Sequence, residues 1–168
     1  MAAVEKPRSL KDVQDLECGV SFPGPYLAGS ETALCLFSAA WHGKQDAFWV
    51  NHAGMTATCV DLDQERLDEM AAIYPNTWSF ARADAFEFAE AAADEGERWD
   101  VVTLDPFTNV FQRVADELPL FCALANNVVM HATGPDTQVT APSGWRVATM
   151  LKRSTFRGGV WWTVLERV

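Results

Sequence analysis

The stretch that decides the fold is Thr58 to Phe107, T-C-V-D-L-D-Q-E-R-L-D-E-M-A-A-I-Y-P-N-T-W-S-F-A-R-A-D-A-F-E-F-A-E-A-A-A-D-E-G-E-R-W-D-V-V-T-L-D-P-F. An apolar run ends in C-V-D-L-D at Cys59 to Asp63. Asp84 follows Asp61 by 23 residues and Asp105 follows Asp84 by 21. Each acid stands where a short apolar run stops, and a segment of helical periodicity separates one run from the next. Leu67, Met70, Ala71 and Tyr74 recur at helical spacing before Pro75, and an Ala-rich segment from Ala85 to Glu95 ends at Gly96. Asp63 suits an N-cap, with Glu65 in the first turn where the helix dipole favours negative charge.

Working outward, Thr32 to Ala40 is a short, almost wholly apolar run that fits a strand buried on both faces. Trp41 to His52 reads as a helix and Met55 to Val60 as the second strand, with the third at Thr77–Ala83 and the fourth at Trp99–Leu104. A helix marked by Val110, Val114 and Leu118 is kinked or restarted at Pro119, and a fifth strand spans Asn127–His131. Two alternating runs, Trp145–Arg153 and Gly159–Arg167, are close enough to require an antiparallel hairpin. Residues 1–30 form an N-terminal arm, with a short helix near Ser9–Leu16 and a turn or extended piece at Phe22–Tyr26. Residues 31–168 form one domain. Strands alternating with helices demand a parallel sheet covered on both faces. The fold class is therefore a three-layer, Rossmann-like α/β open sheet, mostly parallel, with a C-terminal antiparallel hairpin. Ligands of such sheets bind outside the carboxyl ends of the strands, where the three acids stand.

Net charge is −10, which argues against general nucleic-acid affinity. The charge is uneven: residues 1–125 hold 21 acids and 8 bases, whereas Arg146, Lys152, Arg153, Arg157 and Arg167 face only Asp136 and Glu166 in the rest. That basic quarter is compatible with a local phosphate contact, but a solvated hairpin whose charges protect a sheet edge is the favoured reading. Cys18, Cys35, Cys59 and Cys122 have no paired spacing and are read as reduced thiols, and no metal site is implied. His42, His52 and His131 lack ligand spacing and are read as structural or surface residues. Of Trp161 and Trp162, strand alternation puts one ring in the core and the other outside or under the N-terminal arm. No apolar run approaches a membrane span and no signal segment precedes the domain, so a cytoplasmic protein without membrane contact is expected.

The order of elements, with acids ending the second to fourth strands, resembles the class I S-adenosylmethionine-dependent methyltransferase family over roughly residues 32–168. The resemblance implies that Asp61, with Asp63 as fallback, binds the ribose hydroxyls of S-adenosylmethionine, and that Asp84 and Ala85 lie at the adenine. A carboxylate can accept two hydroxyl hydrogen bonds at once, and Phe86 offers a flat face beside a purine. It further implies that Asp105, Pro106 and Phe107 face the methyl group and its acceptor. D-P-F is similar to the D/N-P-P-aromatic motif of enzymes that methylate exocyclic amines of nucleobases and to the D-P-F-G of tRNA guanine-N2 methyltransferases. Here Thr108 replaces the glycine, and the second proline is absent.

The glycine-rich turn after the first strand is degenerate. Leu36-Phe37-Ser38-Ala39-Ala40-Trp41-His42-Gly43 stands where the family has L-F-A-G-x-G, which leaves Ser38, Ala39 and Gly43 as the cofactor-binding candidates. Lys44 would meet the cofactor's carboxylate at the following helix. Two functions stand side by side. One is a methyltransferase acting on a nucleobase or other amine, on a nucleic-acid or small-molecule acceptor, with a partner protein for substrate recognition or self-association both compatible with the chain. The alternative is a binding or scaffold protein that keeps the fold without catalysis.

Overall fold

A computed structural model describes residues 24–37, 50, 54–74, 76–106, 108–133, 139–153 and 160–168. The predicted helices at 9–16 and 41–52, apart from Val50, lie outside the described residues. The described elements run α1 (Gly24–Leu27), β1 (Thr32–Leu36), β2 (Thr56–Asp61), α2 (Gln64–Ile73), β3 (Trp78–Arg82), α3 (Ala85–Asp94), β4 (Trp99–Leu104), α4 (Thr108–Asp116), α5 (Leu118–Ala123), β5 (Ala125–Thr133), β6 (Trp145–Arg153) and β7 (Val160–Arg167). Of Phe22–Tyr26, expected as a turn or extended piece, Gly24–Tyr26 instead lie in the one-turn helix α1, whose Leu27 is buried at 2% exposure in a cluster with Ala33 and Cys35, and the rest lies outside the described residues.

One sheet has the order β3-β2-β1-β4-β5-β7-β6. β1 to β5 are parallel, and β7 inserts antiparallel between β5 and β6. The chain moves from β1 outward to β3, then crosses back to start β4 on the other side of β1. The sheet's direction of travel therefore reverses between β1 and β4, the place where such sheets open a crevice.

Alternate strand residues feed two cores. Leu34, Leu36, Val60, Val102, Leu104, Val128, Met130 and Leu165 pack under α3, α4 and α5. Ala33, Cys35, Ala57, Cys59, Val101, Val129, Trp162 and Val164 pack with Leu27, Val50 and, from α2, Leu67 and Met70. Continuous apolar runs such as Val101–Leu104 are what a strand covered on both faces requires. Ala85, Ala89 and Ala92 let α3 lie close to the sheet, and Gly96 ends that helix at φ 73°, with Gly96 and Glu97 amides donating to the carbonyls of Ala93 and Ala92. Tyr74 closes α2 in an extended conformation, as a residue preceding proline must. Trp161 and Trp162 are both buried, at 5% and 0% exposure, so the expected exposed ring is not found; the other reading, a ring under the N-terminal arm, falls largely on residues outside those described.

The amino-terminal rim of the sheet is tied together by its own polar groups. Asp100 accepts from the amides of Glu31 at 2.7 Å and Thr32 at 3.1 Å, which pins β1 to β4. Arg167 donates to the carbonyls of Ala125 and Cys122 and lies over the Trp145 ring, and Arg146 pairs with Glu166. Burial pushes the Cys122 thiol up to about 12, against a smaller downward pull from Arg167.

Candidate functional site at the carboxyl rim

The strand registers align Ala81, Val60, Leu36, Leu104 and Met130 in one row across β3, β2, β1, β4 and β5. The next residue on each strand is Arg82, Asp61, Phe37, Asp105 and His131. Asp61 and Asp105 therefore flank the end of β1 at the same level, two strand spacings apart, or about 10 Å between backbones. Alternation along β2 and β4 puts both carboxylates on the sheet face that carries Cys59 and Cys35.

Phe37 breaks the alternation. By parity with Cys35 its side chain belongs on the same face as Asp61 and Asp105. Its φ is 63°, and it is the one non-glycine residue with positive φ among those described. The left-handed backbone turns the ring to the opposite side, where it packs edge-on against Phe86 at 5.6 Å between centroids. A bulky side chain in this region is costly and marks a position held by its surroundings. The consequence is that Phe37 does not occupy the space between the two carboxylates.

The acids differ in how much of their hydrogen-bonding capacity is already spent. Asp63 caps α2 through Oδ1 to the Arg66 amide (3.2 Å), and its Oδ2 meets Arg66 Nε at 3.3 Å. Asp61 uses Oδ1 to accept from the Asp63 amide at 2.9 Å. Its Oδ2 has no partner among the described residues. Asp84 caps α3, with Oδ1 taking both the Phe86 (2.9 Å) and Glu87 (3.1 Å) amides, again leaving Oδ2. Ala85 is buried beside it at 6% exposure. Of the two acids ending β2, Asp61 is thus the one with an oxygen to offer a ligand, and Asp63 is committed to the helix.

Phe86 is not an open face. It is 3% exposed, touches Phe37 and Phe121, and carries the Arg113 guanidinium 3.7 Å from its ring centroid. A purine stacked on that face would have to displace a cation–π contact, so the expectation of a free aromatic platform there is corrected. The residue was read correctly as following the acid, but helix α3 turns it inward.

Asp105 is joined to a residue that sequence reasoning set aside. Its Oδ1 lies 2.8 Å from Nδ1 of His131, and the two side chains are 24% and 19% exposed. The imidazole stacks on buried Trp162 (5.3 Å, 22°). The signal available in the sequence was positional: His131 ends the fifth predicted strand as Asp105 ends the fourth, and neighbouring parallel strands bring their ends together. Pro106 is buried beyond Asp105. Ser38, Ala39, Gly43, Lys44 and Phe107 lie outside the described residues, as do His42 and His52. Among the described residues no group of three or more His, Cys, Asp or Glu side chains is arranged to hold a metal ion, and no helix is long and apolar enough to cross a membrane.

No family model and no curated protein matches the chain. Solved structures do. SMU.776, assigned as a methyltransferase and solved with S-adenosylhomocysteine, superposes with a TM-score of 0.68 at 11% identity, over 94% of this chain and 50% of that one. TrmN from Thermus thermophilus gives 0.67 at 19% identity, over 99% and 51%. PH1948 from Pyrococcus horikoshii, assigned as an RNA methyltransferase, gives 0.62 at 15% identity, over 98% and 89%. The chain spans about half the length of the first two of these structures. The chain has the Rossmann-like fold of the class I S-adenosylmethionine-dependent methyltransferases.

Proposed function

We propose that this protein is an S-adenosylmethionine-dependent methyltransferase that acts on a nitrogen, with a nucleobase amine as the favoured acceptor, in the cytoplasm. The observation that supports this most is the placement of Asp61 and Asp105 on one face of one rim, either side of the reversal between β1 and β4. The acceptor set fits an adenosyl ligand: Asp61 Oδ2 for the ribose hydroxyls and Asp84 Oδ2, beside Ala85, for the adenine amine. Ser38, Ala39 and Gly43 complete the cofactor-binding candidates.

When bound, S-adenosylmethionine supplies an electrophilic methyl group on a sulfonium. Asp105 accepts a hydrogen bond from an N–H of the acceptor and so directs the nitrogen lone pair, and positioning of this kind is the larger part of what such a site contributes. The proton that the nitrogen sheds passes to the Asp105 carboxylate and on to solvent. Pro106 and Phe107 continue the chain on the acceptor side. The RNA assignment of one structural relative supports a nucleic-acid substrate.

Isothermal titration with S-adenosylmethionine tests the reading. Micromolar binding is expected. Asp61→Ala, which removes a charge-assisted acceptor, should weaken it by about 10- to 100-fold, and Asp63→Ala should leave it within about threefold while lowering stability by about 1 kcal/mol through loss of the cap. No heat at millimolar ligand would favour the scaffold reading, for which the glycine-poor turn Ser38–Gly43 is the main support.

A further inference from the structure

The contact between Asp105 and His131 has no part in the fold's own hydrogen bonding, since it joins two side chains beyond the last aligned row of β4 and β5. It is also firmly built. His131 cannot swing freely, because its ring lies on Trp162, which is fully buried and faces it across the β5–β7 ladder. A carboxylate only accepts hydrogen bonds, so the proton between the two groups sits on Nδ1, and Nδ1 donates to Oδ1. In water a neutral histidine favours the other tautomer, with the proton on Nε2. Whenever the ring is neutral, the pair therefore holds it in its less common form.

We propose that His131 is a positioning residue for Asp105: the Nδ1–H donor fixes Oδ1 and leaves Oδ2 as the oxygen presented to the acceptor amine. This deepens the methyltransferase reading and rests on it. The physical argument is one of freedom lost in advance. A lone aspartate at a rim rotates about χ2, and either oxygen can meet the amine in many orientations. With Oδ1 bound to an imidazole that is clamped on an indole, a single orientation remains. Beneath the pair lies a second sign that this spot is shaped for more than packing. Thr103, two residues before Asp105 on the same face, and Trp162 both bury a polar atom with no hydrogen-bond partner among the described residues (Thr103 Oγ1 and Trp162 Nε1). Burial of unpaired groups is costly, so the floor under the pair is more than apolar packing.

The test is the nitrogen-15 spectrum of the imidazoles near pH 8, where an ordinary histidine is neutral, read together with titration of S-adenosylmethionine. The expected result is a His131 signal in the Nδ1–H tautomer that reverts to Nε2–H in Asp105→Asn or shows no defined donor there. His131→Asn, whose amide N–H can occupy the Nδ1 position, should keep the Asp105 side-chain carboxyl carbon shift of the native protein, and His131→Leu should move it. All these variants should bind S-adenosylmethionine within about threefold of the native protein, since none touches Asp61. An Nε2–H tautomer in the native protein, or a His131 signal indifferent to Asp105→Asn, overturns the proposal. Absence of cofactor binding in the native protein overturns the methyltransferase reading instead, and leaves the tautomer result to be read on its own.

Discussion

Phe37 shows how one backbone angle reshapes a site. A residue with a β-carbon in the left-handed region costs about 1–2 kcal/mol more than glycine there. The edge-on contact with Phe86 returns about 0.5–1.5 kcal/mol, and burial of the ring adds to that. The two effects predict an inverted order of substitutions. Phe37→Ala loses the ring and keeps the strain. Phe37→Gly loses the ring and the strain together, so it should be the more stable of the two by about 1 kcal/mol in urea unfolding. An ordinary strand position would give the opposite order, because glycine weakens strands. If alanine proves the more stable, the positive φ at Phe37 is not a property of the protein in solution.

The acids at this scale were legible before any coordinates. C-V-D-L-D offered two candidates, and a sequence does not say which carboxylate will be absorbed by a helix cap. The answer comes from spacing in three dimensions: Asp63 stands immediately before Gln64, the first residue of α2, and both its oxygens are taken by Arg66. Phe86 was misread because an aromatic after an acid looks like a platform until α3 rotates it into the core. The contact of His131 with Asp105 was not legible because a lone histidine shows no partner until its strand is set beside β4.

At the scale of elements, most described strands and helices of the parallel half follow the apolar runs to within a residue or two; β1 is the exception, ending at Leu36 although the apolar run continues to Ala40, because Phe37 at φ 63° leaves the strand. β4 and β6 coincide with the expected spans, while β5 extends to Ala125–Thr133, beyond the expected Asn127–His131. The extension is tertiary in origin: β5 lies between β4 and β7, and pairing with β4 recruits Ala125 at one end while pairing with β7 recruits Ala132 and Thr133 at the other. The hairpin carries a prediction of its own. Arg146 and Arg167 are engaged at the amino rim, by Glu166 and by main-chain carbonyls. Register puts the backbone of Arg153 beside Val160, itself beside Thr133, at the other rim. If the acceptor is a nucleic acid, Lys152, Arg153 and, by its place in the sequence between β6 and β7, Arg157 are the basic residues of the hairpin to test as phosphate contacts. Filter binding to bulk tRNA should then weaken, with a shallower salt dependence, when all three are replaced by alanine. Replacing Arg146 should leave the salt slope unchanged. Equal loss from both would point to nonspecific charge and away from a hairpin that reaches the crevice.

For the whole molecule, the sheet order is what brings three distant acids to one rim. β1 is central, and the chain's return from β3 to β4 brings Asp105 to the opposite side of β1 from Asp61. Alternation of strand and helix foretold a parallel sheet, but not which strand would lie in the middle, since periodicity carries no information on order. The inserted β7 was likewise invisible as an inner strand. The most direct measurement of the central claim is amide chemical-shift mapping of the labelled protein on addition of S-adenosylhomocysteine. The amides of Asp61, Leu62, Asp84, Ala85 and Asp105 are expected to shift together and saturably, with Trp145 and Arg167 at the far rim unmoved. Shifts confined to that far rim, or none at millimolar ligand, would contradict the claim.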